Sequence, residues 1–148
     1  MVNSIDKLVG TWRLVSASGT AASGERDETT FGPNPVGFLT YTEDGRVTAI
    51  ISYGGRKPLT IGAKPQALLE EHAEAFRTFL AYAGRYRLSG DKLIHSVEIS
   101  SIQNQVNTEL VRRIRFQDDQ IVLVTPPTMS DGKLRTFELV WQRLKAGS

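Results

Sequence analysis

Cysteine is absent from the 148 residues of this chain, and histidine occurs only twice. The lack of thiols excludes a disulfide framework, a cysteine nucleophile and a thiolate metal site. With two histidines, a zinc site would have to collect carboxylates, and these show no recognisable ligand spacing. Neither the Gly-x-Ser-x-Gly elbow of esterases nor a paired-carboxylate motif occurs. We therefore expect no metal and no cofactor.

Long apolar runs and an excess of one charge are also lacking. No run of about 18 apolar residues occurs, so no transmembrane helix is predicted. The first residues, MVNSIDKL, lack the apolar core of a signal peptide. The formal net charge is only +2, and the basic residues are scattered, which argues against a nucleic-acid partner. These features predict a cytoplasmic protein that binds neither membrane nor nucleic acid.

What the chain does contain is alternation of apolar and polar residues, which is typical of half-buried β-strands. At this length we expect one domain, residues 1–148. Eight antiparallel strands joined mostly by short turns suit a closed up-and-down barrel with room for one small ligand. The predicted strands are 8–17, 36–43, 46–53, 82–89, 92–102, 107–117, 119–125 and 133–144.

Two insertions interrupt the strands. Residues 18–35 are rich in Gly, Ser and Pro, with a short strand predicted near Thr29–Phe31, and form either a floppy connection or a lid over the barrel mouth. A helix is predicted over 65–80, because Pro65 suits a first helical position. An apolar stripe along it predicts packing against the barrel: Leu68, Leu69, Phe76, Phe79 and Leu80.

The hairpin around Glu43-Asp44-Gly45 has two alternative registers, with Val47, Ala49, Ile51 and Tyr53 placed inward on its second arm. A two-residue turn would pair these residues with Thr42, Thr40, Phe38 and Val36. A three-residue turn would pair them with Tyr41, Leu39 and Gly37. The sequence leaves both registers open, and with them the question of whether Tyr41 lies inside.

Alternation along the later strands predicts which side chains line the interior. The inward sets are Tyr82, Gly84, Tyr86 and Leu88; Leu93, His95, Val97, Ile99 and Ser101; Leu110, Arg112, Ile114 and Phe116; and Phe137, Leu139, Trp141 and Arg143. An apolar pocket with a few convergent polar groups is typical of a small-molecule site. The predicted ligand-binding residues are Tyr41, Tyr53, Tyr82, Tyr86, His95, Val97, Leu110, Arg112 and Trp141.

An inward Arg112 requires a partner, because an unpaired buried charge is costly. Glu98 and Glu109 both point outward in this register. Three alternatives remain: a carboxylate is misplaced by the register, tyrosines and water satisfy the guanidinium, or an anionic ligand or developing oxyanion is the partner.

Gly10-x-Trp12 in the first strand and Arg143 in the last, where the guanidinium could lie over the indole, resemble the signature of the lipocalin (calycin) barrels. The resemblance narrows to the small bacterial lipocalin-like domain family. It covers most of the chain, although the family pattern has Pro, Trp and Gly where this chain has Gln103, Gln105 and Asn107. The segments that carry it are Leu8–Ser16, Gly37–Ala49, Tyr82–Tyr86, His95–Arg113 and Val140–Arg143.

Three functional hypotheses follow. The first is binding of a small, largely apolar molecule that carries a carbonyl, phenol or carboxylate. The second is a cofactor-free cyclase, dehydratase or isomerase in small-molecule biosynthesis, with His95 moving a proton while Arg112 and a tyrosine hold an oxyanion. The third, ranked last, is an interaction module that uses the outer face or the predicted helix. A homodimer is compatible with all three.

Overall fold

The computed structural model describes residues 4–60, 67–130 and 132–147. Within them, one antiparallel sheet closes into a barrel of eight long strands, because the first and last long strands pair with each other. The all-β barrel predicted from the sequence is confirmed. The elements are α1 (Ser4–Leu8), β1 (Gly10–Ala21), β2 (Arg26–Asp27), β3 (Val36–Tyr41), β4 (Arg46–Ser52), α2 (Leu69–Arg77), β5 (Phe79–Ser89), β6 (Lys92–Ser100), β7 (Glu109–Gln117), β8 (Gln120–Val124), β9 (Thr128–Ser130) and β10 (Lys133–Arg143).

The two ends of the barrel differ in their connections. Short turns join β3 to β4, β5 to β6, and β7 to β8, and this end also carries α1. We call it the base. The longer connections join β1 to β3, β4 to β5, β6 to β7, and β8 to β10, and their end is the mouth. Side chains on the first residues of β5 and β7 therefore lie near the mouth, and those on the last residues of β10 lie near the base.

Trp12 and Arg143 lie at the base, where the guanidinium covers the indole as expected from the sequence. The guanidinium carbon of Arg143 lies 4.3 Å from the centroid of the Trp12 ring. Its Nη1 donates to the Val9 carbonyl at 2.7 Å, and its Nη2 donates to the carbonyl of Lys7. Gly10 has φ +133°, and a Cβ there would lie 2.7 Å from Arg143 Nη1. The glycine therefore leaves the space that the guanidinium needs.

The hairpin between β3 and β4 adopts the second of the two registers. Thr42 N–H donates to the Arg46 carbonyl at 2.9 Å, which closes a three-residue turn in which Gly45 has φ +88°. Tyr41 therefore points inward and is 1% exposed. The paired residues are Tyr41 with Val47, Leu39 with Ala49, and Gly37 with Ile51.

A β-bulge in β6 makes the prediction for Ile99 wrong. Gly84 pairs with Val97, whereas Ala83 pairs with Ile99, so Glu98 is an extra residue between the two pairs. One extra residue reverses the alternation beyond it. Val97 is buried as predicted, but Ile99 points outward and is 67% exposed.

The inserted helix predicted over 65–80 is confirmed, but its extent and its packing differ from the prediction. The helix α2 covers only Leu69–Arg77 and buries none of its residues, with Leu69 85% exposed. Phe79 and Leu80 begin β5 instead, so the apparent stripe joined the end of a helix to the start of a strand. Pro65, the predicted first residue, lies outside the described residues.

Two smaller predictions are wrong in the connections. The short strand near Thr29–Phe31 is instead Arg26–Asp27, because the Thr29 and Thr30 hydroxyls donate to the Asp27 carboxylate and form a turn. The strand predicted over 46–53 ends at Ser52, so Tyr53 belongs to the connection that follows.

Candidate functional site

A cavity of about 340 Å³ lies inside the barrel, within the range of small-molecule sites. Apolar side chains supplied by several strands form much of its wall, because each strand directs alternate residues inward. They include Leu39, Ala49, Ile51, Leu110, Leu139 and Trp141.

At the mouth, two phenylalanines line the cavity. Phe31 comes from the connection between β1 and β3, and its ring lies edge-on to Phe137 at 6.4 Å between centroids. It also packs edge-on against Tyr53 at 4.9 Å. The backbone N–H of Gly54 donates to the Phe31 carbonyl at 2.9 Å, which ties this connection to the residues after β4. Of the two interpretations of residues 18–35, a mouth-covering segment fits this packing better than a floppy connection.

The cavity wall carries polar groups at Tyr82, His95 and Arg112. His95 is 1% exposed, and both of its ring nitrogens are hydrogen-bonded to tyrosines. Nε2 lies 2.8 Å from the Tyr41 hydroxyl, and Nδ1 lies 2.6 Å from the Tyr82 hydroxyl. Burial, together with the positive charge of Arg112, lowers the pKa of His95 to about 3. The imidazole is therefore neutral at pH 7.

The tyrosines around His95 are un-ionised donors and acceptors. Burial raises the pKa of Tyr41 well above its usual value, and it also raises that of Tyr82. Tyr86 packs edge-on to Tyr41 at 4.8 Å between ring centroids, and its hydroxyl donates to the Thr42 carbonyl at 2.7 Å. Tyr86 thus packs against Tyr41 on the side of His95 that faces the base.

Arg112 has no carboxylate partner among the residues that the structure describes. Its Nη1 donates to the backbone carbonyl of Val111 at 3.1 Å. Glu98 and Glu109 form outer ion pairs with Arg46 at 2.8 Å and with Arg87 at 3.1 Å. A misplaced carboxylate is therefore not the explanation for an inward arginine. Two of the three alternatives remain: tyrosines with water, or an anionic group on a ligand.

The structure brings together five of the nine predicted ligand-binding residues at the cavity wall: Tyr82, His95, Leu110, Arg112 and Trp141. The remaining four are placed elsewhere. Tyr41 and Tyr86 lie behind His95 toward the base, Val97 is packed in the core, and Tyr53 contacts Phe31.

Several wall residues are absent from the sequence prediction. Phe31 and Leu80 lie at segment ends where alternation gives no signal, and Thr125, Pro126 and Thr128 belong to or border the connection after β8. The length of the 18–35 connection was the only feature that pointed to Phe31.

The three departures from the family pattern fall in the connection between β6 and β7. Gln103–Gln105 form a 3₁₀ turn, and Gln105 lines the cavity while accepting from the Ser100 hydroxyl at 3.0 Å. Asn107 has φ +63°, a conformation that glycine adopts freely and that asparagine tolerates better than most residues. The chain therefore forms this turn with an asparagine and places an amide in the cavity wall.

In the described part of the chain, no three His, Asp or Glu side chains are grouped as metal ligands. The same residues include no helix long and apolar enough to cross a membrane.

Comparison with known proteins identifies relatives in sequence and in fold. The chain is 35% identical over 85 residues to the 4'-hydroxy-3'-methoxypropiophenone carrier protein ppsC of Aspergillus oryzae. The aligned region covers 51% of this chain and 76% of that protein.

Two solved structures resemble the barrel. One is a lipocalin-like protein from Bacteroides uniformis, with a TM-score of 0.47 and 12% identity, covering 93% of this chain and 99% of that chain. The other is secretory abundant heat soluble protein 4 from Ramazzottius varieornatus, with a TM-score of 0.43 and 14% identity, covering 94% and 96% respectively. A family model described as a lipocalin-like domain matches residues 9–144. The chain therefore belongs to the lipocalin-like domain family.

Proposed function

We propose that this barrel binds a small, largely apolar organic molecule that carries a carbonyl, phenol or carboxylate group. The observation that carries the proposal is the cavity of about 340 Å³, with an apolar wall and the polar groups of Tyr82, His95 and Arg112. An apolar wall supplies affinity by removing ligand surface from water, and a few polar groups fix the orientation.

The sequence relative supports this class of ligand. The Aspergillus oryzae protein carries 4'-hydroxy-3'-methoxypropiophenone, a molecule with an aromatic ring, a ketone and a phenol. Each of those groups has a counterpart in the cavity: the apolar side chains match the ring, and the tyrosine hydroxyl and the guanidinium match oxygen atoms. We therefore choose an aryl ketone as the first ligand to test.

Binding rather than turnover is proposed because of the state of His95. The catalytic hypothesis for His95 and Arg112 requires the imidazole to exchange a proton with a substrate near neutral pH. With a pKa of about 3 and both ring nitrogens bonded to tyrosines, the ring is a poor base at pH 7. Catalysis by these residues stays a prediction.

The test is a calorimetric titration of the protein with 4'-hydroxy-3'-methoxypropiophenone, supported by thermal unfolding with the same compound. If the compound binds the folded state only, a free concentration of 100 times Kd adds about 2.7 kcal/mol to the free energy of unfolding. We expect saturable binding at one site and a melting temperature that rises with ligand concentration. No heat of binding and no change in melting temperature, across aryl ketones, phenols and carboxylates, would refute the proposal.

A matched pair of variants separates cavity binding from binding elsewhere. Ala49 is buried and lines the cavity, so Ala49→Phe places a ring in the space that the ligand needs. Ala83 lies on the neighbouring strand β5 on the opposite face of the sheet, so Ala83→Phe adds the same volume outside. We expect Ala49→Phe to abolish binding and Ala83→Phe to retain it.

A further inference from the structure

Tyr41, His95 and Tyr82 are joined by two hydrogen bonds. Their polar groups carry three hydrogens, which is one more than the two bonds use. Each hydroxyl carries one hydrogen, and a neutral imidazole carries one hydrogen on one nitrogen and a lone pair on the other. The two bonds, Tyr41 to Nε2 and Tyr82 to Nδ1, consume two of the three hydrogens. The third belongs to whichever tyrosine accepts from the imidazole N–H.

The surroundings of the two tyrosines differ. Tyr41 is 1% exposed, lies toward the base and is not part of the cavity wall. Among the described residues, its hydroxyl has no hydrogen-bond partner other than His95. A spare hydrogen on Tyr41 would therefore be a buried donor without an acceptor. Tyr82 lines the cavity, where a ligand or water can accept its hydrogen.

The cost of an unsatisfied buried donor therefore favours one tautomer by roughly tenfold or more. In that tautomer Tyr41 donates to Nε2, and Nδ1–H donates to the Tyr82 oxygen. The Tyr82 hydrogen is then free to point into the cavity. Arg112, which lines the same cavity and bonds only to a backbone carbonyl in the described structure, also offers donors and no acceptor.

We infer that the Tyr82 hydroxyl donates its hydrogen to an acceptor oxygen of the bound molecule, and that His95 is the positioning residue that fixes this direction. The inference rests on the proposed binding function and narrows its ligand class. The oxygen that faces Tyr82 and Arg112 is an acceptor such as a carbonyl or carboxylate oxygen, because a group without an acceptor would leave the Tyr82 hydrogen and the guanidinium unpaired.

The hydrogen placement is tested without any ligand by NMR of the protein labelled with ¹⁵N-histidine at pH 7. Two-bond ¹H–¹⁵N correlations distinguish a protonated Nδ1 from a protonated Nε2, and His72→Gln assigns the two histidines. We expect His95 to carry its hydrogen on Nδ1. A hydrogen on Nε2 would direct the spare hydrogen to Tyr41 and overturn the inference.

The ligand class is tested with Tyr82→Phe and three probes: propiophenone, 3-phenylpropionate and propylbenzene, which has the carbon skeleton of propiophenone without its oxygen. We expect the variant to bind propiophenone about tenfold more weakly than the unsubstituted protein does. The loss for 3-phenylpropionate should be at least as large, because its carboxylate accepts a stronger hydrogen bond. Affinity for propylbenzene should stay within about twofold, because a phenylalanine keeps the wall.

The outcomes separate the two claims. Equal loss for all three probes, or no loss for the two oxygen-bearing probes, overturns the role of Tyr82 and leaves the binding function intact. If none of the probes binds the unsubstituted protein, the binding function fails for this ligand class. The NMR result then still decides where the hydrogen lies.

Discussion

The imidazole of His95 and the guanidinium of Arg112 line one cavity, and burial together with that positive charge lowers the pKa of His95 to about 3. A barrel interior that keeps its histidine neutral suits a binding site whose hydrogen bonds do not change between pH 5 and pH 8. Because His95 and Arg112 can be substituted separately, their contributions to stability and to the His95 pKa can be measured one at a time.

The free energy of unfolding should depend on pH through His95. Unfolded His95 takes up a proton near its ordinary pKa of 6.5, whereas the folded protein does so only near pH 3. Between these values the unfolded state binds more protons, so stability is present above about pH 6.5 and is lost as the pH falls, by up to about 1.4 kcal/mol per pH unit. Urea unfolding from pH 7 to pH 4 measures this slope.

His95→Gln provides the comparison, because it removes this titration and keeps every other ionisable group, His72 included. The difference in stability between the two proteins should shrink or change sign as the pH falls. Parallel curves from pH 7 to pH 4 would contradict a neutral, buried His95.

Replacing Arg112 by methionine should raise the pKa of His95, because it removes the second cause of the depression. The pKa should nevertheless stay below 6.5, since burial is the larger cause. Stability at pH 7 should fall by less than about 1 kcal/mol or increase, because a partly buried charge without a carboxylate partner contributes little. Histidine NMR titrations and urea unfolding measure the two effects.

Arg87→Met is the control for this change. Arg87 is half exposed and pairs with Glu109 on the outside of the barrel. It should leave the His95 titration unchanged. An equal shift in both variants would mean that net charge, and not the position of Arg112, sets the pKa.

Replacing Arg143 by methionine should lower the free energy of unfolding by about 2–3 kcal/mol. The guanidinium packs on Trp12 and donates to two backbone carbonyls, and the methionine can replace only the packing. Arg113→Met removes an exposed ion pair with Asp91 and should change stability by less than about 0.5 kcal/mol. Similar losses in the two variants would contradict a special role for Arg143 at the base.

Gly10→Ala should be destabilising by more than 1 kcal/mol, since it combines a φ of +133° with a Cβ 2.7 Å from Arg143 Nη1. Gly90 also has a positive φ, of +63°, but nothing lies within 4 Å of its Cβ position. Gly90→Ala is the control for a left-handed backbone without a side-chain contact, and Gly10→Ala should cost more because its φ lies outside the left-handed region and because its Cβ would meet Arg143. An equal loss of stability in the two variants would contradict a steric conflict with Arg143.

The barrel and much of its wall could be predicted from the sequence because alternation is a local property. Tyr82, His95, Leu110, Arg112 and Trp141 all lie at the cavity as their strands indicate. Ile99 does not follow its strand, because a bulge is set by pairing with a neighbour and has no signal in the strand itself.

The other errors have similar physical causes. The apolar residues before and after Arg77 read as one helix, although a strand begins at Phe79 and makes its own contacts. Whether Tyr41 points inward depends on the length of the turn between β3 and β4, and only the pairing of these two strands fixes that length. The contact of the Tyr41 and Tyr82 hydroxyls with one imidazole joins three strands, and no single strand pattern contains it.

The most direct test of a binding cavity inside the barrel is to determine the position of a bound molecule. Isotope-filtered NOEs between unlabelled 4'-hydroxy-3'-methoxypropiophenone and methyl-labelled protein give that position. We predict NOEs to the methyl groups of Ala49, Leu110 and Leu139 inside the barrel. NOEs confined to exposed methyl groups such as those of Val15 and Ile99 would place the molecule on the outer surface and contradict a binding cavity.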